Sequence, residues 1–129
     1  MILLDTSFLI DYVRDPELAR YLPLKENVAV TVISYFEIQA GLKKLRSKRE
    51  EHFFQQFFAE ITILDFTHDA ADHAAVIGGQ LARTGNVVNT IDLLIAGIAK
   101  AHHIETIITA DEDFRSIAPV TDLEVHWYR

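Results

Sequence analysis

Short apolar strand candidates alternate with helical stretches from one end of this chain to the other. No other feature constrains the fold as much, because that order favours a parallel sheet with its crossover helices packed on the faces. Ile2–Asp5 reads as a short buried strand and Thr6–Arg14 as the first helix. Pro16 and Pro23 punctuate a short helix between them, and Val28–Val32 is a β-branched strand. Helices are expected from about Tyr35 to Leu45 and from about Lys48 to Ala59, with Ile61–Leu64 as the next strand. From Asp69 to Arg83, the residues Ala70, Ala74, Ile77 and Leu81 recur at helical spacing, and Gly85 just beyond is suited to a C-cap. Thr90 is placed to cap a helix over Ile91–His102. Thr106–Thr109 and Leu123–Trp127 are the last strands, with a short helical turn over Asp111–Ile117 between them. No repeat, linker or low-complexity tract interrupts the series, so one α/β domain over residues 1–129 is expected.

Four carboxylates stand out against this apolar background: Asp5, Glu37, Asp92 and Asp111. Three follow or lie close to the carboxyl ends of predicted parallel strands, where open α/β sheets bind ligands. Asp92 instead opens a helix with Ile91, Leu93, Leu94, Ile95 and Ala96 around it, a segment apolar enough to be buried. Each acid also has a local explanation. Asp5 could be a helix N-cap, and Ser34-x-x-Glu37 and Thr109-x-x-Glu112 have capping-box spacing. Asp92 could simply favour the positive end of its helix. Asp113 competes with Asp111 for the fourth position. Together, however, four clustered like charges cannot all stay ionised without a cation between them. Oxygen-only donors suit Mg²⁺ or Mn²⁺ better than zinc.

The remaining composition sets boundaries. The chain contains no cysteine, which excludes disulfides, thiolate zinc sites and thiol nucleophiles and suits a reducing cytoplasm. Met1–Leu4 lacks a basic leader region, and Leu93–Ala99 is far too short to span a bilayer, so a soluble intracellular protein is expected. The net charge of −7 argues against simple electrostatic wrapping of nucleic acid. Two divalent cations at the acids would add four positive charges and leave a balance of about −3 from that −7.

The segments Leu3-Leu4-Asp5-Thr6-Ser7, Ser34-Tyr35-Phe36-Glu37, Asp92-Leu93-Leu94-Ile95-Ala96 and Thr109-Ala110-Asp111-Glu112-Asp113-Phe114 resemble the PIN domain. Their order and spacing are most similar to the VapC ribonuclease toxins of prokaryotic toxin–antitoxin modules. The resemblance covers essentially the whole chain. It implies a three-layer α/β/α sandwich around a mostly parallel sheet, and a metal-dependent endoribonuclease with one or two Mg²⁺ or Mn²⁺ ions. On this resemblance Asp5 and Asp92 are the principal ligands, Glu37 and Asp111 complete the catalytic quartet, and Thr109 matches a hydroxyl position near the site; Ser7 and Asp113 are candidate supporting residues beside them. It also implies a homodimer, an RNA substrate cut to a 5′-phosphate and a 3′-hydroxyl, and a cognate antitoxin that inserts a segment near the pocket. Ala110 departs from the basic or polar residue that relatives often carry there.

Two other functions gather acids at strand ends. A phospho-receiver module wants an acidic pair early in the chain and a lysine after a late strand, whereas Asp5 lacks an acidic neighbour and Thr109 leads into Ala110. A haloacid-dehalogenase-type phosphatase wants an Asp two residues after its nucleophile, where this chain has Ser7. Lys43, Lys44, Arg46, Lys48 and Arg49 form the dense basic cluster, read either as solvated helix ends or as an RNA phosphate track. Asp69, Asp72 and His73 read as a solvated face, and His102-His103 as partners of a helix C-terminus. Phe53, Phe54, Phe57 and Phe58 form an aromatic stripe suited to core or interface, and Ala71, Ala74, Ala75, Gly78 and Gly79 would let another helix approach closely.

Overall fold

The computed structural model describes residues 1–129. Its strands are β1 (Ile2–Leu4), β2 (Val28–Thr31), β3 (Thr62–Leu64), β4 (Thr106–Thr109) and β5 (Glu124–Trp127). Its helices are α1 (Thr6–Arg14), α2 (Val32–Leu45), α3 (Lys48–Glu60), α4 (His68–Arg83), α5 (Thr90–Ala101) and α6 (Asp113–Ile117). Short 3₁₀ turns occupy Pro16–Tyr21, Lys25–Asn27 and Ala118–Val120. The five strands form one sheet in the order β3-β2-β1-β4-β5, and every pairing is parallel. No helix is long and apolar enough to cross a membrane.

The sheet is buried on both faces, and the period-2 alternation of side chains divides the core in two. Leu4, Val28, Val30 and Ile108 point to one face, where Phe8 and Leu9 of α1, Ile38 and Leu42 of α2 and Phe54, Phe57 and Phe58 of α3 cover them. Leu3, Ala29 and Ile107 point to the other, beneath Ile77 and Leu81 of α4, Ile95, Ala96 and Ala99 of α5, and Phe114 and Ile117 of α6. This is the expected three-layer sandwich. The phenylalanine stripe is core: Phe54, Phe57 and Phe58 are buried, and Phe53 packs edge-on against Tyr12.

Chain order explains where a site belongs. β1 pairs with β2 on one side and β4 on the other. After β1 the chain enters α1 on the first face, and after β4 it enters α6 on the second. The connections diverge there, leaving a crevice at the carboxyl ends of β1 and β4, which is a topological switch point.

Several element ends differ from the sequence reading, those of α2 and α5 because a different side chain takes the cap. α2 starts at Val32 rather than near Tyr35, since Thr31 ends β2 and its side chain accepts the Ser34 N–H. α5 is capped by Asn89, whose side chain accepts the Ile91 N–H, so Thr90 is already helical. α6 begins at Asp113 rather than Asp111. α4 ends as expected at Gly85, whose φ of 75° is left-handed. There Asn86 N–H reaches Leu81 C=O and Gly85 N–H reaches Ala82 C=O, a Schellman closure.

Of the small residues of α4, Ala70, Ala74 and Gly78 pack against α5, while Ala75 is exposed. A Cβ added at Gly97 would lie 2.4 Å from the Ala70 carbonyl oxygen and 2.7 Å from Ala74 Cβ. The two helix backbones therefore meet there with no room for a side chain. Gly78 faces Leu93 in the same way, more loosely.

Candidate metal centre

Four acids distant in sequence line one cavity of about 240 Å³ at the switch point: Asp5, Glu37, Asp92 and Asp111. Thr6, Ser7, Ile10, Asn89 and Ile91 complete its wall. A second subset overlaps the first, because carboxylate oxygens of Asp92, Asp111 and Asp113 all lie within 4.8 Å of one another. Asp92 and Asp111 belong to both groups. Asp111 lines the cavity, whereas Asp113 does not.

Asp5 is the anchor. It follows β1, is 2% exposed, and occupies the N-cap position of α1 without its side chain capping that helix. Its Oδ2 accepts from Thr109 Oγ1 at 2.7 Å and from Ser7 Oγ at 3.0 Å. These hydroxyls are themselves fixed: Asp111 N–H donates to Thr109 Oγ1 at 2.9 Å, and Ala110 N–H to Ser7 Oγ at 3.1 Å. The Thr109-x-x-Glu112 capping box therefore does not form, and Glu112 pairs with Arg115 instead. Asp5 Oδ1 is buried and has no hydrogen-bond partner. A buried carboxylate oxygen left bare is costly.

Glu37 reaches the same cavity from α2. The expected box with Ser34 is absent, because Ser34 lies inside the helix and its N–H is satisfied by Thr31. Glu37 Oε1 accepts from Thr6 Oγ1 at 2.6 Å, and Thr6 Oγ1 also lies 2.8 Å from Ser34 Oγ. Thr6 is a site residue that the sequence reading misses. Its only sequence signal is its place next to Asp5, since its partner is 31 positions away.

Burial and like charge act together on these acids. Burial is the largest cause holding Asp5 above the usual carboxylate range; the Asp111 charge adds to it, while the Thr109 and Ser7 hydroxyls oppose it. Asp92, 5% exposed, is pushed up to about 9, first by burial, then by Asp113, Asp111 and Asp5. With protons alone, the cluster stays partly neutral. A hard divalent cation would replace that proton, and the donor set fits one: oxygen only, several carboxylates, and one buried oxygen without a partner.

The other sequence features resolve as surface or core. Lys43, Lys44, Arg46, Lys48 and Arg49 are all exposed at the end of α2 and start of α3. Asp69 and His73 approach to 3.7 Å on an exposed stretch of α4. His102 contacts the Asp65 carbonyl at 3.3 Å, and His103 takes a left-handed φ of 57° just past α5.

Comparison with known proteins agrees with this architecture. The structure is similar to VapBC2 from Rickettsia felis, solved with a promoter DNA fragment, at a TM-score of 0.80 and 23% identity over 98% of each chain. It is similar to FitAcB from Neisseria gonorrhoeae at 0.76 and 24% identity, covering 97% of this chain and 96% of that one. VapC20 of Mycobacterium tuberculosis, described as a sarcin-ricin loop cleaving toxin, matches at 0.66 and 13% identity over 90% and 94%. No curated protein sequence matches the chain. At these identities the likeness establishes the fold. A family model described as the PIN domain matches residues 2–119, nearly the whole sequence, and the chain therefore belongs to the PIN domain family.

Proposed function

We propose that this chain is a Mg²⁺- or Mn²⁺-dependent endoribonuclease and the toxin of a VapBC-type module, formed as one domain over residues 1–129. The observation that carries the reading is the bare, buried Oδ1 of Asp5 in a cavity shared with Glu37, Asp92 and Asp111. A helix cap or a surface acid has no reason to bury an oxygen without a partner, whereas a cation ligand does. Membership of the PIN family and the description of one structural neighbour as a sarcin-ricin loop cleaving toxin point the same way.

In this reading Asp5 and Asp92 hold the ion, with Glu37 and Asp111 completing the quartet. When bound, such a cation acidifies water and offsets charge on the phosphoryl oxygens. The chain's own groups set the geometry. Ser7 and Thr109 hold Asp5 Oδ2 and leave Oδ1 without a partner, and Thr6 holds Glu37 by one oxygen, Oε1. Asp5→Asn should abolish RNA cleavage while circular dichroism and thermal unfolding remain those of a folded protein. Chelation should silence the native protein, and Mg²⁺ or Mn²⁺ should restore it. Undiminished cleavage by the folded Asp5→Asn protein, or cleavage indifferent to chelator, would refute the assignment.

The toxin role adds a cognate antitoxin, a homodimer and cytoplasmic action. Similar solved structures are described as a toxin–antitoxin complex and as a member of a family of toxin–antitoxin systems, which supports the antitoxin. Expression of this chain alone should arrest growth, and co-expression of the protein from an adjoining reading frame should relieve it. Growth unaffected by an active nuclease would instead favour a PIN-type RNA-processing enzyme. Sedimentation equilibrium tests the homodimer directly.

A further inference from the structure

Asn89 and Asp92 have the spacing of a capping box: Asn89 is the cap of α5, and Asp92 stands at the third helical position. In such a box the acid at that position folds back to accept the N–H of the capping residue. Here that bond is taken by another residue. Asn89 N–H donates at 2.8 Å to Asp113 Oδ2, 24 positions away in the first turn of α6. Asp113 is itself held, its N–H donating to Asp111 Oδ1 at 3.0 Å. From there the line continues: Asp111 N–H to Thr109 Oγ1, and Thr109 Oγ1 to Asp5 Oδ2. One run of hydrogen bonds therefore ties the cap of α5 to the anchor acid of β1.

We infer that Asp113 is a positioning residue that occupies the capping acceptor site at Asn89 and thereby keeps the Asp92 carboxylate in the acid cavity. The geometry separates Asp113 from Asp111. Asp111 lines the cavity, whereas Asp113 does not and has one carboxylate oxygen committed to a backbone amide. Without Asp113, the vacated Asn89 N–H at the positive end of α5 recruits the carboxylate at its own capping-box position, that of Asp92. The inference rests on the metal-site reading for its consequence, but not for its structural content.

The test compares Asp113→Ala with Asp113→Asn in the full chain. Asparagine keeps an acceptor oxygen for Asn89 N–H and loses the charge; alanine loses both. With MgCl₂ titrated against each apo protein by calorimetry, Asp113→Ala should weaken half-saturation by about tenfold or more, as loss of ligand-orienting partners does, while Asp113→Asn stays within about twofold of the native protein. A second readout needs no metal. By amide exchange in chelator, Asn89 N–H should remain protected in Asp113→Ala, because Asp92 has folded back, and lose protection when Asp92→Ala is added. Equal weakening by the two single variants would make Asp113 a charge donor to the ion and overturn the inference. So would an Asn89 amide as unprotected in Asp113→Ala as in the double variant. Failure of the native protein to bind Mg²⁺ would sink the nuclease reading alone, with amide exchange still deciding the role of Asp113.

Discussion

Removing the charge of Asp92 should stabilise the metal-free protein while destroying its response to metal. The native state holds this carboxyl at a pKa of about 9, against 3.8 for an unperturbed aspartate. Between those values the folded protein keeps a proton that the unfolded chain releases, so stability falls as pH rises through that window. At about pH 7 the full linkage is 1.36 kcal/mol for each of roughly three pH units, or about 4 kcal/mol. The shares of Asp113 and Asp111 are screened by solvent at these partly exposed groups, and the larger share from burial of Asp92 leaves a cost of about 2 kcal/mol or more. The amide introduced by Asp92→Asn would be neutral at every pH, match the volume, and donate to Asp111 or Asp113. For a chain of this length, about 2 kcal/mol corresponds to a rise in Tm of roughly 6–10 °C. The assay is thermal unfolding in chelator at about pH 5, 7 and 9, repeated with saturating Mg²⁺. The gap should shrink below about 1 kcal/mol at pH 5, where little of the window has been crossed, and widen toward pH 9. Mg²⁺ should then raise the Tm of the native protein and leave Asp92→Asn nearly unmoved. A variant no more stable than the native chain in chelator, or a gap independent of pH, would refute the reasoning.

Thr6→Val removes the hydroxyl that holds Glu37 while conserving volume, and should lower cleavage by about 10–100-fold with little change in Tm. An unchanged rate would show that Glu37 needs no such support. Gly97→Ala places a methyl against the Ala70 carbonyl and should cost about 1–3 kcal/mol or more in denaturant unfolding, since neither backbone can retreat. Wild-type stability there would mean that α4 and α5 are not in close contact. Neutralising Lys43, Lys44 and Lys48 should reduce the slope of log affinity for single-stranded RNA against log salt by about 2 units, each phosphate contact contributing roughly 0.7. An unaltered slope would return these residues to the solvated helix ends they otherwise resemble.

The alternation of apolar runs with helical stretches sufficed for the parallel sheet, because strands buried on both faces must be continuously apolar and their crossovers need helices. The identities of the cavity acids were equally legible, since few structural roles keep carboxylates in such segments. Local spacing misled wherever a distant partner competed for the same group. Ser34 and Glu37 look like a capping box, but β2 runs directly into α2, Thr31 takes the cap, and Thr6 claims Glu37. Thr90 looks like the cap of α5, but Asn89 takes that place, and Asp113 arrives from α6 to accept the Asn89 amide. Which hydrogen bond forms depends on which acceptor is already desolvated and within about 3 Å, and chain neighbours alone do not set that. The sequence by itself determined the layers and the chemistry of the donors. Only the tertiary structure decided that Asp5 keeps one oxygen bare, because Ser7 and Thr109, the latter 104 positions away, both donate to Oδ2 while Oδ1 is buried without a donor.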